Sequence, residues 1–430
     1  LQKSKKIGLK NLKFENKRAY VKVAFDWLYK MKNFPISANV ARMKTSSTLK
    51  AMLTAMKLRE QGYDVIDLTV GEPDFPTPDF IKDLAVEGLN KNLTKYTPTA
   101  GLKIFTEAIC KFYSEQFNAK VLPTEVAASC GGKQGIFNAV CALVNRGDDV
   151  LVPKPYWVTF PEIVNFCGAN NVFIETEETD FILTAEQVKR AITDKTKLLI
   201  VNSPNNPSGR VIPPSEIRKI IEVCAEKGVY VLTDECYLFF VYPPSEVFTS
   251  AALPKELREF VCVAGSFSKT YAMTGWRIGY TIANEEWTRA ILKLQSHSAT
   301  HPTSFVQYAC ARALERREDS MKAVAQMLTE YKRRRDWLIP QLQKINGFKC
   351  KTPEGAFYAF VDVRGLPSDK FSTSAEVADY LLNEAHTVVT DGKGFGADGF
   401  LRISYATSPE NLQNAVRRIK KLFENQPKSA

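Results

Sequence analysis

The sequence predicts an α/β protein: a large domain on a mostly parallel β-sheet covered by helices, followed by a smaller α+β domain. Two observations carry this. Between residues 65 and 282, short runs rich in Val, Ile and Leu alternate with helical patterns. Such alternation aligns strands in parallel, because a helix makes each crossover, and it covers both faces of the sheet. After about residue 300 the pattern changes: a long Arg- and Lys-rich helical stretch over 320–345 leads into a mixed set of strands and helices.

The elements follow in order. Residues 65–70 read as a strand broken by Gly71-Glu72-Pro73-Asp74. Residues 101–118 have amphipathic spacing and stop before Pro123. A strand over 126–130, a Gly131-Gly132 turn and a helix over 133–144 come next. Further strands are expected at 150–153, 171–174, 198–201, 229–233, 261–264 and 278–282, with helices at 184–193 and 213–227. The second domain shows strands at 356–363 and 400–405 and helices at 374–384 and 408–424. The division expected is a basic extension over 1–36, an N-terminal arm joined to the small domain over 37–80, a large domain over 81–320 and a C-terminal small domain over 321–430.

A chain of 430 residues is too long for one compact core. Its 45% hydrophobic content excludes a disordered or collagen-like chain. No window approaches eighteen consecutive apolar residues, so no membrane partner is expected. The formal charge of +11 invites a polyanion partner, but its location argues otherwise. Residues 1–34 carry ten basic and two acidic residues, a net +8, which leaves +3 for the rest. No nucleic-acid partner is expected of so neutral a body. The extension lacks a 7–15-residue apolar stretch and has one Arg and one Ser, unlike a secretory or transit segment. We expect it to be dispensable, with translation starting near Met31.

Nine cysteines with no C-x-x-C spacing argue against a disulfide framework or structural zinc, and for reduced thiols in the cytoplasm. His297 and His301 stand at i, i+4, but no acid completes a metal-binding H-E-x-x-H, and no metal is expected.

The most informative stretch runs from Ser266 to Tyr280. A lone loop lysine is ordinarily solvated. Lys269, however, follows a buried strand and is bracketed by Ser266 and Arg277. A hydroxyl and a guanidinium converging beside a lysine suggest a phosphate anchored next to an amine, since arginine's planar fork suits phosphate. An amine held by a phosphate ester is what a pyridoxal phosphate Schiff base requires.

The string S-x-S-K-x-x-x-x-x-G-x-R over Ser266–Arg277 resembles the class I pyridoxal-phosphate aminotransferases of fold type I, in the subgroup of prokaryotic aspartate and prephenate aminotransferases. The resemblance runs from about residue 37 to 424. It implies a seven-stranded sheet in the large domain, with Ser266, Ser268, Lys269 and Arg277 as cofactor residues. It extends to Asn202-Ser203-Pro204-Asn205-Asn206-Pro207-Ser208-Gly209, where Asn206 would bond the cofactor's phenolic oxygen and take part in substrate binding. Ser208 replaces the commoner Thr. In Thr233-Asp234-Glu235-Cys236-Tyr237, a charged pair at a strand end is ordinarily solvated. The resemblance instead sets Asp234 on the pyridine nitrogen and Tyr237 on the same phenolic oxygen as Asn206. Cys236 and Leu238 depart from the commoner Ile and Glu.

Cys130-Gly131-Gly132-Lys133-Gln134 resembles the turn that cradles the phosphate. Lys133 reads either as a plain helix-start lysine or as the residue that reaches a distal carboxylate of the substrate. Trp157 would stack on the cofactor ring and border the substrate, and Tyr96 would cross a homodimer interface to the partner's phosphate. In Leu401-Arg402-Ile403-Ser404-Tyr405-Ala406, a strand arginine ordinarily points to water. The resemblance gives Arg402 the substrate's α-carboxylate. Gly71 belongs to the substrate-side loop, and Thr48 reads as a helix cap or a substrate residue.

The function expected is ping-pong transfer of an amino group between an L-amino acid, aspartate first, and 2-oxoglutarate, with Lys269, Asp234 and Tyr237 catalytic. Prephenate or aromatic transamination is the close alternative, and a lyase on the same fold a further one. A regulator fused to a DNA-binding domain ranks last, because 36 residues are too few for a helix-turn-helix module.

Overall fold

The computed structural model describes residues 35–44 and 48–424. The basic extension up to residue 34, including Met31, and the side chain of Thr48 lie outside the described residues.

Helix α1 (Thr48–Glu60) leads to a two-residue strand, β1 (Ile66–Asp67), and helices α2 (Asp79–Asn90) and α3 (Lys103–Phe117) follow. Alternation then begins: β2 (Val126–Ser129), α4 (Gly132–Leu143), β3 (Asp149–Pro153), α5 (Thr159–Cys167), β4 (Asn170–Ile174), α6 (Ala185–Ala191), β5 (Thr196–Asn202), α7 (Pro214–Glu226), β6 (Tyr230–Asp234), β7 (Val261–Ser266), the single turn α8 (Phe267–Thr270) and β8 (Gly279–Ile282). Helices α9 (Glu285–Ser296), α10 (Ser304–Glu315) and α11 (Arg317–Gln343) come next. The chain ends with β9 (Lys349–Cys350), β10 (Tyr358–Asp362), α12 (Ser374–Ala385), β11 (Thr387–Val388), β12 (Thr390–Asp391), β13 (Phe400–Ser404) and α13 (Pro409–Phe423).

The central sheet has seven strands in the order β2-β8-β7-β6-β5-β3-β4. Its strands pair in parallel except β8, which is antiparallel to both β2 and β7. The reversal has a local cause. The connection over 267–278 holds only the turn α8 and loop, with no helix long enough to carry the chain back across the sheet for a parallel return. Alternate strand residues face opposite ways. Leu151, Leu199, Val201, Val231 and Val263 enter one core, while Val150, Val152, Leu198, Ile200, Leu232 and Cys262 enter the other. The covering helices show the matching stripe. In α7, Pro214 pre-sets the first turn, and Ile217, Ile220, Ile221 and Cys224 are buried at helical spacing.

A second sheet, β12-β13-β10-β9, pairs β10 antiparallel to β13 with Phe360 opposite Arg402. Its core draws on Ile66, Leu68, Tyr237, Tyr331, Tyr358, Val361, Leu401 and Ile419. Strand β1 is shorter than the expected 65–70 and pairs with β11 through Ile66 and Asp67. The next carbonyls leave the ladder for side chains: Thr69 O accepts from Arg402 and Gly71 O from Lys269.

Candidate active site

Three neighbouring strands of the central sheet end together. Asn202 of β5 pairs with Asp234 of β6, Asp234 with Ala264 of β7, and Ser266 with Gly279 of β8. The carboxyl ends of parallel strands are where open α/β sheets bind ligands.

Ser266 caps α8: its Oγ accepts from Ser268 N at 3.1 Å, and Ser268 is buried. This one-turn helix aims Lys269 back across the strand ends, where Nζ donates to Gly71 O. Burial pulls the Lys269 pKa down to about 8, and the Arg277 and Arg402 charges add to it against the opposing pull of Cys236 and Glu72.

Asp234 is 5% exposed, and its Oδ1 accepts from Cys236 N at 3.0 Å. Burial raises its pKa, while that N–H and the nearby Lys269 act in the opposite direction. Glu235 is equally buried, so neither carboxylate of the pair is solvated. Glu235 Oε1 accepts from Ser250 N at 2.8 Å and Thr233 Oγ1 at 3.1 Å, whereas Oε2 is buried without a partner. Burial pushes its pKa up to about 7. A raised carboxyl pKa contributes stability that is complete below the unfolded value and is lost as pH rises through the folded one. Glu235 should therefore remove roughly 3 kcal/mol of stability between pH 4.5 and 7. Glu235→Gln should flatten that slope, with Tm and denaturant midpoints measured at pH 5 and 8. An unchanged slope would contradict the assignment.

The Gly131-Gly132 turn opens α4. Gly131 has φ 85°, and a Cβ there would run into the Arg277 guanidinium. A Cβ at Gly132 would lie 2.9 Å from Cys236 Sγ. Arg277 is itself left-handed at φ 54° and donates to Thr274 O at 2.9 Å and Cys130 O at 3.3 Å. An exposed guanidinium thus stands at the N-terminus of a twelve-residue helix, where free N–H groups and the helix dipole both favour an anion.

Arg402 is 6% exposed, which corrects the ordinary expectation for a strand arginine. Nη1 donates to Asn206 Oδ1 at 2.9 Å, and Nη2 to Thr69 O at 2.8 Å and Thr390 Oγ1 at 3.3 Å. Its Nε is buried with no partner, and the guanidinium stacks 4.6 Å from the Tyr358 ring. Asn206 is 7% exposed, and its N–H is held by Asn202 Oδ1. Accepting from Arg402 leaves the Asn206 amide NH₂ to donate elsewhere. The Tyr237 hydroxyl lies 2.6 Å from that of Tyr358.

Lys133 Nζ stacks 4.8 Å over the Trp157 ring, and burial with Arg277 lowers its pKa. Tyr96 stands apart: its ring is 90% exposed and touches His301 edge-on. Among the described residues, no cluster of His, Cys, Asp and Glu could hold a metal.

Sequence reasoning missed Tyr358, which lies between Tyr237, Arg402 and Gly71; a Cβ on Gly71 would be 3.0 Å from its hydroxyl. Its only signal was an aromatic pair, Phe357-Tyr358, after Pro353-Glu354-Gly355. The Gly71–Asp74 loop was read, but the pairing of Asp74 with Arg334 was missed. Arg334 Nη1 donates to both Asp74 oxygens, at 2.8 and 2.9 Å, and anchors the loop that carries Gly71.

Comparison with known proteins identifies the fold and family. Residues 63–419 match the family model for aminotransferase class I and II. A probable aspartate/prephenate aminotransferase of Aquifex aeolicus is 40% identical over 390 residues, 90% of this chain and 98% of that relative. The structure of an aspartate aminotransferase from Thermus thermophilus with maleate superposes with a TM-score of 0.85 at 38% identity, covering 91% of this chain and all of that one. An aromatic aminotransferase from Pyrococcus horikoshii superposes with a TM-score of 0.80 at 37% identity, covering 86% of this chain and 98% of that one.

Proposed function

Because the chain belongs to the class I and II aminotransferases and is a transaminase, we propose that it works with pyridoxal 5'-phosphate at Lys269 and moves the amino group of L-aspartate to 2-oxoglutarate by a ping-pong mechanism. The single observation that carries this reading is the convergence of a buried lysine after β7, a buried carboxylate at the end of β6 and a buried arginine of β13 with a free Nε.

The donor set fits the cofactor. Gly131, Gly132, Ser266, Ser268 and Arg277 would hold its phosphate, Asp234 its ring nitrogen, and Asn206 and Tyr237 its phenolic oxygen. Trp157 would cover its ring. When bound, the cofactor supplies a carbonyl to carry the amino group and a ring that withdraws electrons from the substrate α-carbon. Asp234 keeps a proton on the ring nitrogen, so the withdrawal is strongest where negative charge develops. Arg402 grips the α-carboxylate and so orients the α-carbon hydrogen toward Lys269. Lys269 Nζ takes that proton as a base, and a pKa near 8 leaves part of it neutral at pH 7.

The remaining assignments belong to the same proposal. The arm over 37–80 and the two domains over 81–320 and 321–430 enclose the substrate between them. The protein works as a homodimer, in which Tyr96 of the partner subunit reaches the phosphate; its 90% exposure supports this. It acts in the cytoplasm, in keeping with nine cysteines that are all free thiols. No helix among the described residues is long and apolar enough to cross a membrane.

A dicarboxylic substrate is favoured by Lys133, which stands beside Trp157, and by the maleate in the Thermus thermophilus relative's structure. Gly71, whose carbonyl accepts from Lys269, and Thr48 are assigned to the substrate side on resemblance alone. Prephenate, a second dicarboxylate, is kept in view by the Aquifex aeolicus relative's name. Lys133→Ala should raise KM for aspartate about tenfold or more with a smaller change in kcat, and leave aromatic donors nearly unaffected. The check is steady-state kinetics with aspartate, glutamate, tyrosine and prephenate as alternative substrates. Failure of aspartate as donor beside amination of prephenate with glutamate as donor would replace the first reading with the second, and ammonia with pyruvate as products would mark a lyase.

A further inference from the structure

Helices α4 and α5 lie side by side on one face of the central sheet, each burying its own apolar side chains there, Ile136 and Val140 from α4 and Ile163 and Val164 from α5. At their far ends two sulfurs meet: Cys141 Sγ, in the last turn of α4, is 3.4 Å from Cys167 Sγ, the final residue of α5. Both residues are partly exposed, whereas Cys224, Cys262, Cys310 and Cys350 are buried. Beside Cys167, a Cβ on Gly168 would lie 3.2 Å from Arg42 Nη1 and 3.4 Å from Arg146 Cγ.

We propose that Cys141 and Cys167 form an oxidation site, a dithiol that hydrogen peroxide converts to an intramolecular disulfide. Cys167 is the attacking thiol: the hydrogen bond with Cys141 lowers its pKa and raises that of Cys141. Its thiolate breaks the peroxide O–O bond and becomes a sulfenic acid, and the departing hydroxide takes a proton and leaves as water. Cys141 sulfur then attacks the sulfenic sulfur; the S–O bond breaks and the thiol proton leaves with the hydroxide as a second water. Two thiols are oxidised by two electrons, and one peroxide is reduced to two waters. Closure to a bond of about 2 Å needs side-chain rotation at two helix ends and no movement of the sheet. Cys141 lies nine residues beyond Gly132, about 14 Å along α4, so the bond braces the two helices without touching the phosphate cradle. In a reducing compartment such a bond is transient and responsive.

The test uses the full-length holoenzyme and one equivalent of hydrogen peroxide, followed by alkylation, intact mass and peptide mapping. The expected result is a loss of two hydrogens in mass and of two alkylatable thiols, a linked 141–167 peptide, and reversal by dithiothreitol. Transamination should stay within about twofold. Cys141→Ser should stop at a sulfenic acid on Cys167 that dimedone traps. Peptide mapping of the unmutated protein decides the matter even where a variant misfolds. Equal alkylation of both thiols before and after peroxide, or a disulfide formed elsewhere, would overturn the proposal.

Discussion

Lys269→Ala is expected to lower transamination by at least about a thousandfold, the middle of the range for removing a positioned base. The loss should be larger still if the amine also carries the cofactor. The phosphate cradle of Gly131, Gly132 and Arg277 does not involve the lysine amine, so the variant should still bind pyridoxal phosphate, though without a covalent link. Reduction with borohydride followed by mass measurement separates the two states. Protonation supplies a second readout. The Lys269 pKa is depressed to about 8, chiefly by burial, and only the neutral amine is a nucleophile. Cofactor capture by the apoprotein should accelerate about tenfold per pH unit below 8 and level off above it. A capture rate still rising at pH 10 would contradict the burial argument, and retained turnover in Lys269→Ala would remove the residue from the chemistry.

Asp74→Ala should destabilise the fold by about 2 kcal/mol, within the range for losing hydrogen bonds to a charged group, because Asp74 is exposed but its partner Arg334 is buried, and should also slow the reaction. Arg334 is 6% exposed, and its Nη1 has both Asp74 oxygens as acceptors. After the change Nε keeps Glu330 at 2.8 Å and Nη1 retains only Tyr405 O at 3.4 Å, so part of a buried charge is left unpaired. The loop from residue 69 to 77 would also loosen. It is strapped through Thr69 to Arg402, through Gly71 to Lys269, through Glu72 to Thr274 at 2.5 Å, and through Thr77 to Ala272 at 2.7 Å. One segment thus ties together the two cations assigned to the substrate and the base. Asp74→Asn keeps an acceptor and should lose less. Urea unfolding measures the first effect and kcat the second. A stability within 1 kcal/mol of the unmodified protein would refute the role of the pair.

Much of this was legible in order along the chain. Strand and helix periodicity marked β2 through β8 and helices α4, α6 and α7 between them, though not α5, because burial on a covered sheet selects apolar runs regardless of distant partners. The reversal of β8 was not legible, since direction depends on whether the connection over 267–278 carries the chain back across the sheet. Strand β1 was overestimated for a similar reason: residues 68–70 have strand-like composition, yet the carbonyls of Thr69 and Gly71 bond Arg402 and Lys269.

The site divided in the same way. Lys269 and Arg277 stood out by their spacing from Ser266, whereas Asp234, Asn206 and Arg402 were assigned only through resemblance to a known family. Asp74 lay in a loop that the sequence marked, but its pairing with Arg334, like Tyr358, carried no mark. Their roles exist only where β10, the loop after β1 and helix α11 meet, between residues 260 apart in sequence for Asp74 and Arg334. The same holds for the Cys141–Cys167 contact, which two packed helices create.

By itself, then, the sequence determined the order of elements, the family and the residue types available for chemistry. All of these rest on local patterns of polarity and backbone freedom. The tertiary structure alone decided which carboxylates are desolvated, which lysine loses its proton most readily, and which guanidinium keeps a free donor. Burial and long-range contact set those properties, and neither is a property of neighbouring residues in the chain.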